Sequence, residues 1–219
     1  MANLKQSHPA DEGFCYDPRE ACRFLAKADP RLAPWIQRVP FEMKIRAMHN
    51  PFESLARNII YQQLHGNAAA AIHRRVLDLF GQRSKLTPRD ILDAPEDVLR
   101  GAGLSTAKTL ALKDLAVKTL DGTVPTLARL RRMEDEEIIE RLTTVRGIGR
   151  WTVEMLLIFR LGRPDVLPVG DFAVRKGFAV AYGLKEHPKP KELLGHGELW
   201  RPFRSVASWY LWRASESKG

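Results

Sequence analysis

Cysteine is nearly absent from this 219-residue chain, which carries only Cys15 and Cys22. Two thiols cannot form a disulfide scaffold. Nor can they supply the four thiolates of a protein-bound iron–sulfur cluster. No run of 18 apolar residues occurs, so no ordinary membrane-spanning helix is expected. The opening MANLKQSHPADEGF lacks the apolar core of a signal peptide, and a reducing, cytoplasmic compartment is expected. Period-two alternation is almost missing, which argues against a substantial sheet. No repeat of 20–50 residues and no low-complexity tract is present.

What remains is ordinary for a globular protein: 44% hydrophobic and 28% charged residues, enough to build a core. The 35 Lys and Arg outnumber the 26 Asp and Glu, for a net charge of +9, which suits a polyanionic partner. Nearly every segment reads as helix. Asp17-Pro18 places an N-cap before a proline at the first helical position, and Asp29-Pro30 and Asn50-Pro51 repeat the signal. The second of these predicts a short helix ending near Val39, and the third opens PFESLARNIIYQQL. Gly66-Asn67 predicts a break and a cap for a helix from Ala68 to Phe80. Thr87-Pro88 and Ala94-Pro95 open two short helices. Ser105 caps a longer one through Leu120, closed by Asp121-Gly122, and further helices are expected around Leu127–Met133 and from Glu134 to Thr143. About the first dozen residues are polar and read as loose, as part of a loose terminus over 1–16.

Residues 142–178, LTTVRGIGRWTVEMLLIFRLGRPDVLPVGDFAVRKGF, hold most of the chemical information. A helix ending near Thr143 leads into the tight turn Val145-Arg146-Gly147-Ile148-Gly149. A second helix follows from about Gly149 to Arg160, with Trp151, Met155, Ile158 and Phe159 available for burial. Two glycines around one apolar residue let the backbone bend and approach another molecule closely. Amides at the start of the second helix carry the positive end of its dipole and suit a phosphate. Arg146 and Arg150 add charge beside them. The plainer reading is an ordinary helix–turn–helix corner. Downstream, Pro168 and Gly170 hold an extended connection, and Asp171 opens the next helix. A carboxylate there reads either as a cap or as a reactive group at the mouth of a cleft.

The hairpin, its second helix and Pro168-x-Gly170-Asp171 together resemble the helix-hairpin-helix DNA glycosylases with a Gly/Pro-Asp loop. The similarity is greatest to the short alkyladenine (3-methyladenine) type II group. NIIYQQL is similar to the family's Gln-Gln helix beside the base pocket, LRGAGLSTAKTLALKDLA to its wedge loop and following helix, and WRPFRSVASWYLW to its Trp-bearing C-terminal helix.

The resemblance implies an all-α fold of two helical lobes with a cleft between them. One lobe is expected from about 17–45 plus 165–219, and the hairpin-bearing lobe from about 46–164. It also implies a monomeric enzyme acting on double-stranded DNA, away from any membrane and nucleoid-associated in a bacterium. Such an enzyme flips the damaged nucleotide out of the stack. The family's catalytic Asp falls on Asp171. Its lyase lysine position falls on Trp151, where no Schiff base can form, so a monofunctional hydrolase of alkylated purines is expected. Lys176 reads as a solvated or phosphate-contacting charge. Trp151 and Trp212 match pocket aromatics, which suit a cationic base. Trp212 reads equally as core beside Trp209. Tyr61 and Gln62 read either as pocket lining or as a packed aromatic and a satisfied amide.

Gly147, Gly149 and Thr152 are implied phosphate donors, with glycine at 149 serving any positive φ there. The carbonyls of Thr143, Val145 and Ile148 are the implied ligands of a structural Na⁺ or K⁺; no other cofactor and no iron–sulfur cluster is implied. The wedge loop falls on Leu104, Ser105 and Thr106, of which Leu104 is the apolar member. Two other functions stay open on the residues: the same fold excising another damaged or mismatched base, and a non-catalytic DNA-binding module.

Overall fold

The structure, a computed structural model, describes residues 13–81 and 85–217. They form α-helices and a short 3-10 helix, with no strand among the described residues. No helix among them is long and apolar enough to cross a membrane. The chain divides into two compact units. One comprises residues up to Ala47 together with those from Glu154 onward, and the other is Met48–Val153.

The second unit holds α3 (Pro51–Tyr61), α4 (Gly66–Asp78), α5 (Pro88–Asp93), α6 (Glu96–Gly101), α7 (Thr106–Leu120), α8 (Leu127–Leu130) and α9 (Asp135–Thr143), and the start of α10 (Arg150–Phe159). Local chemistry fixes most of the helix starts. The Asn50 side chain accepts the Phe52 amide at 2.9 Å, with Pro51 at the first helical position. Thr87 and Asp90 exchange bonds in a capping box, and Ser105 accepts the Lys108 amide at 3.3 Å. α7 packs against α3 and α5 and buries Ala111, Leu112, Leu115 and Ala116.

Two boundaries here differ from expectation. α4 begins at Gly66, not Ala68, because the His65 carbonyl already takes the Ala69 amide and the Asn67 side chain is not used as a cap. It stops at Asp78, where Phe80 and Gly81 close a tighter turn, Gly81 with φ +78°. α3 ends at Tyr61, so the two glutamines lie off the helix. Gln62 is its extended C-cap and Gln63 has φ +56°.

The other unit contains α1 (Pro18–Ala28), α2 (Ala33–Arg38), α11 (Phe172–Tyr182), α12 (Pro190–His196), the 3-10 helix Gly197–Trp200 and α13 (Arg204–Glu216). α11 lies directly on α13. A Cβ on Gly177 would stand 1.8 Å from the Leu211 carbonyl oxygen, so only glycine permits this approach.

Asp29 does not cap α2 as its sequence suggested. It ends α1, and its carboxylate accepts the Arg31 and Leu32 amides at 2.9 and 3.2 Å. Pro30 falls in that turn, and α2 starts at Ala33 with Pro34 in its first turn. The second Asp29 oxygen accepts the Trp200 indole at 2.7 Å and the Tyr182 hydroxyl, and lies 3.2 Å from His196 Nε2.

The loose terminus expected over 1–16 falls mostly outside the described residues, but 13–16 are tied down. The Cys15 amide donates to the Gly162 carbonyl at 3.1 Å, and Phe14 packs edge-on to Tyr16.

Candidate nucleic-acid interface and catalytic carboxylate

The hairpin runs from the end of α9, through residues 144–149, into α10. Val145 and Ile148 point inward, 1% and 3% exposed, and anchor the turn in its unit. Gly147 is the residue with positive φ, at +78°. This corrects the expectation for Gly149, whose φ is not positive and whose missing Cβ would meet nothing within 4 Å. Among the described residues neither the Gly147 nor the Gly149 amide donates a hydrogen bond. Two uncommitted amides at the start of a helix are the requirement for an anion contact.

The flanking groups are less free than their sequence suggested. Thr152 spends its amide on the Gly149 carbonyl at 3.0 Å, so only its hydroxyl remains as a donor. Arg150 forms a two-pronged pair with Glu136, at 2.7 and 2.8 Å. That bond holds the Glu136 carboxyl below its usual range and offsets the arginine charge beside the turn. Arg146 is exposed.

Three side chains that the sequence did not single out as hairpin contacts hold the turn by its main chain. Gln62 Nε2 donates to the Gly147 carbonyl at 2.8 Å. Asp114 Oδ2 accepts the Arg146 amide at 2.7 Å. Lys118 donates to the Thr144 carbonyl and pairs with the same Asp114 oxygen at 2.9 Å. Burial alone would raise the Asp114 carboxyl. The Arg146 amide and the Lys118 ammonium outweigh it and hold the group below its usual range. The i,i+4 spacing of Asp114 and Lys118 was visible in the sequence, but it is also that of any solvated helix pair.

The remaining site residues fall as follows. Tyr61 has the Arg57 guanidinium over its ring at 4.0 Å and His73 edge-on, so one face is already covered. Trp151 is 53% exposed rather than buried; the apolar side of α10 is instead Val153, Leu156, Leu157 and Ile158. Leu104 is 4% exposed and belongs to the core of its unit, while Ser105 serves as the α7 cap and Thr106 is exposed. An apolar side chain beside a helix start is drawn inward, which leaves the polar pair as the accessible part of that loop.

In the other unit, the segment before Asp171 is set by a salt bridge and a buried serine. Arg204 Nε meets Asp165 at 2.6 Å, and the buried Ser205 hydroxyl donates to the Arg163 carbonyl and accepts the Val166 amide. Asp171 then caps α11, accepting the Val174 amide at 2.9 Å. The same oxygen, Oδ1, accepts the Trp212 indole N–H at 3.3 Å. Trp212 is half-buried and stacks on Phe159 at 5.5 Å, whereas Trp209 is buried. The structure therefore brings Asp171 and Trp212 together in one unit and Gln62 and Gly147 together in the other.

A family model for HhH-GPD superfamily base excision DNA repair proteins matches residues 56–202, spanning both the hairpin and the Asp171 loop. The chain belongs to that superfamily. Among relatives within HhH-GPD, it is 43% identical to DNA-3-methyladenine glycosylase 1 of Schizosaccharomyces pombe over 166 residues, covering 76% of this chain and 73% of that one. The solved structure of the S. pombe 3-methyladenine DNA glycosylase in complex with abasic DNA superposes with a TM-score of 0.71 at 38% identity, covering 91% of this chain and 100% of that one. A DNA-3-methyladenine glycosidase from Bacillus halodurans superposes at 0.81 with 34% identity, covering 93% and 91%.

Proposed function

We propose that this HhH-GPD protein is a monofunctional DNA glycosylase that hydrolyses the N-glycosidic bond of alkylated purines in duplex DNA, 3-methyladenine and 7-methylguanine among them. The observation that carries the reading is Asp171, a carboxylate with a backbone amide and an indole N–H on one oxygen, in the Pro-x-Gly-Asp loop that follows the hairpin. The names of the relatives support the substrate class.

Base flipping exposes the sugar–base bond. Alkylation leaves the purine cationic, so the bond breaks with both electrons passing to the base, which departs neutral. The sugar left behind is an oxocarbenium-like cation, and the Asp171 carboxylate stabilises it while water adds at C1′ and loses a proton. No second acid is needed. The indole face of Trp212 that is not stacked on Phe159 suits the cationic base before departure.

At the hairpin, the Gly147 and Gly149 amides are assigned to one phosphate of the strand. The carbonyls of Thr143 and Ile148 carry no hydrogen bond among the described residues, and that of Val145 carries one, from Ile148. Three oxygens with open lone pairs suit Na⁺ or K⁺, which when bound would neutralise charge between the turn and the phosphate.

The test is release of free base from methylated duplex DNA by the purified protein and by Asp171→Asn. The amide oxygen of asparagine still accepts both N–H groups, so the α11 cap survives. The variant should lose at least about 100-fold in single-turnover rate, the scale of removing a stabiliser of developing charge. Its DNA affinity should be equal or higher. Base release at the wild-type rate would remove Asp171 from the chemistry.

A further inference from the structure

We propose that α7 sets the grip of the hairpin on DNA, with Asp114 as a positioning residue. Lys108, Asp114 and Lys118 of α7 bond main-chain atoms outside their own helix and Ala111 lies beside the turn; the four are spaced by three, three and four. Lys108 donates to the Ile60 and Gln62 carbonyls at 2.7 and 2.8 Å, closing the end of α3 from which Gln62 reaches Gly147. The Ala111 methyl lies 3.4 Å from where a Cβ on Gly147 would stand, so a side chain at 147 would touch α7. Asp114 holds the Arg146 amide, and Lys118 the Thr144 carbonyl. At roughly 100° per residue these four positions fall within about 120° of one helix face.

The bonds from Asp114, Lys118 and Gln62 go to peptide groups of the turn rather than to its side chains. They therefore fix the peptide planes themselves. With the Arg146 amide drawn to Asp114, the Gly147 and Gly149 amides are the ones left to meet a phosphate. Asp114 is also in the wrong place on electrostatic grounds. A partly exposed carboxylate beside a phosphate contact repels DNA, and its removal should tighten binding if charge were its only effect. Its role as a positioning acceptor demands the opposite.

This inference rests on the reading that the hairpin contacts DNA, and one control separates the two. Duplex affinity is measured at fixed salt for wild type, Asp114→Ala, Asp114→Asn and Gly149→Glu, with melting temperatures alongside. Asp114→Ala should bind damaged and undamaged duplexes about three- to tenfold more weakly, the value of one lost hydrogen bond, despite its gain of net positive charge. Asp114→Asn keeps one oxygen to accept both the Arg146 and Lys118 donors and should bind as tightly as wild type or more so. A purely structural role would lower the melting temperature of the alanine variant and leave the affinity of its folded fraction unchanged; that result, or tighter binding by Asp114→Ala, overturns the proposal. Gly149→Glu has open space for its side chain and puts a carboxylate on the turn. If it binds like wild type, the hairpin is not a DNA contact and both readings fall. If it loses binding while Asp114→Ala does not, the hairpin reading stands and the role of α7 falls.

Discussion

Trp212 donates its indole N–H to Asp171 across 3.3 Å, onto the same carboxylate oxygen that caps α11. The tryptophan is thus both an aromatic surface and a clamp on the proposed catalytic carboxylate. Trp212→Phe separates the roles, because the ring remains to stack on Phe159 while the donor is lost. A hydrogen bond to a charged group is worth about 1.5–3 kcal/mol, so the single-turnover rate should fall by roughly tenfold or more. Melting temperature should fall by about 2–4 °C for each kcal/mol of that bond, so the rate is compared well below the transition, where both proteins are folded. An unchanged rate would show that the indole N–H does not orient Asp171.

The product should be an intact strand carrying an abasic site. The family resemblance implies that the lyase lysine position falls on Trp151, and an indole cannot form a Schiff base. Borohydride added during turnover should therefore trap no covalent protein–DNA complex on denaturing gels. Efficient trapping would point to a different amine, with Lys176 the first to replace.

The two hairpin glycines should behave differently. Gly147 has φ +78° with Ala111 close by, so Gly147→Ala should cost about 1–2 kcal/mol of stability. Gly149 has neither constraint, so Gly149→Val should melt near wild type yet bind DNA less well. Its slope of log affinity against log salt should become shallower by about one phosphate's worth. Equal thermal losses for both variants would contradict the assigned backbone geometry.

Asp29 makes an acid-sensitive joint. Burial pushes its carboxyl up, but bonds from His196, Tyr182, Trp200 and Leu32 more than offset this and hold it well below the usual carboxylate range. The unfolded group titrates near about 4. Below that pH the unfolded chain binds more protons at this site than the folded one, so its contribution is complete above about pH 4 and fades as the pH falls further. Asp29→Asn should flatten the acid limb of melting temperature against pH. It should also lower the neutral-pH value, by about 2–4 °C for each kcal/mol lost. A variant with the same acid limb as wild type would show that other carboxylates set it.

Asp29 also marks where reading along the sequence stops working. The starts of α1, α3, α5 and α7 were legible because Asp17, Asn50, Thr87 and Ser105 bond amides two or three residues away. Asp29-Pro30 looks the same locally, but that carboxylate also answers to Trp200, 171 positions on. The hairpin and the Asp171 loop were legible as a motif. Its supports were not, since Asp114 and Lys118 grip main-chain atoms 32 and 26 residues distant, and any residue type presents those atoms. That Gly147 adopts the positive φ was not legible, because the Gly-Ile-Gly pattern is symmetric on that point. Leu104 is the apolar member of the loop expected as the wedge, but apolar surface near a core is buried before it is offered to a ligand.

Gly177 gives the corner around Asp171 its dimensions. With backbone against backbone at Leu211, α11 and α13 meet at a stop defined by a missing methyl group, not by side chains that could swivel or compress. Asp171 lies six residues before that stop, and Trp212 immediately follows the residue that forms it. The spacing of their backbones is thus set by the main chain, and only the two side chains' own rotamers are left to adjust the contact. Any larger residue at position 177 would part the two helices, and with them Asp171 from Trp212.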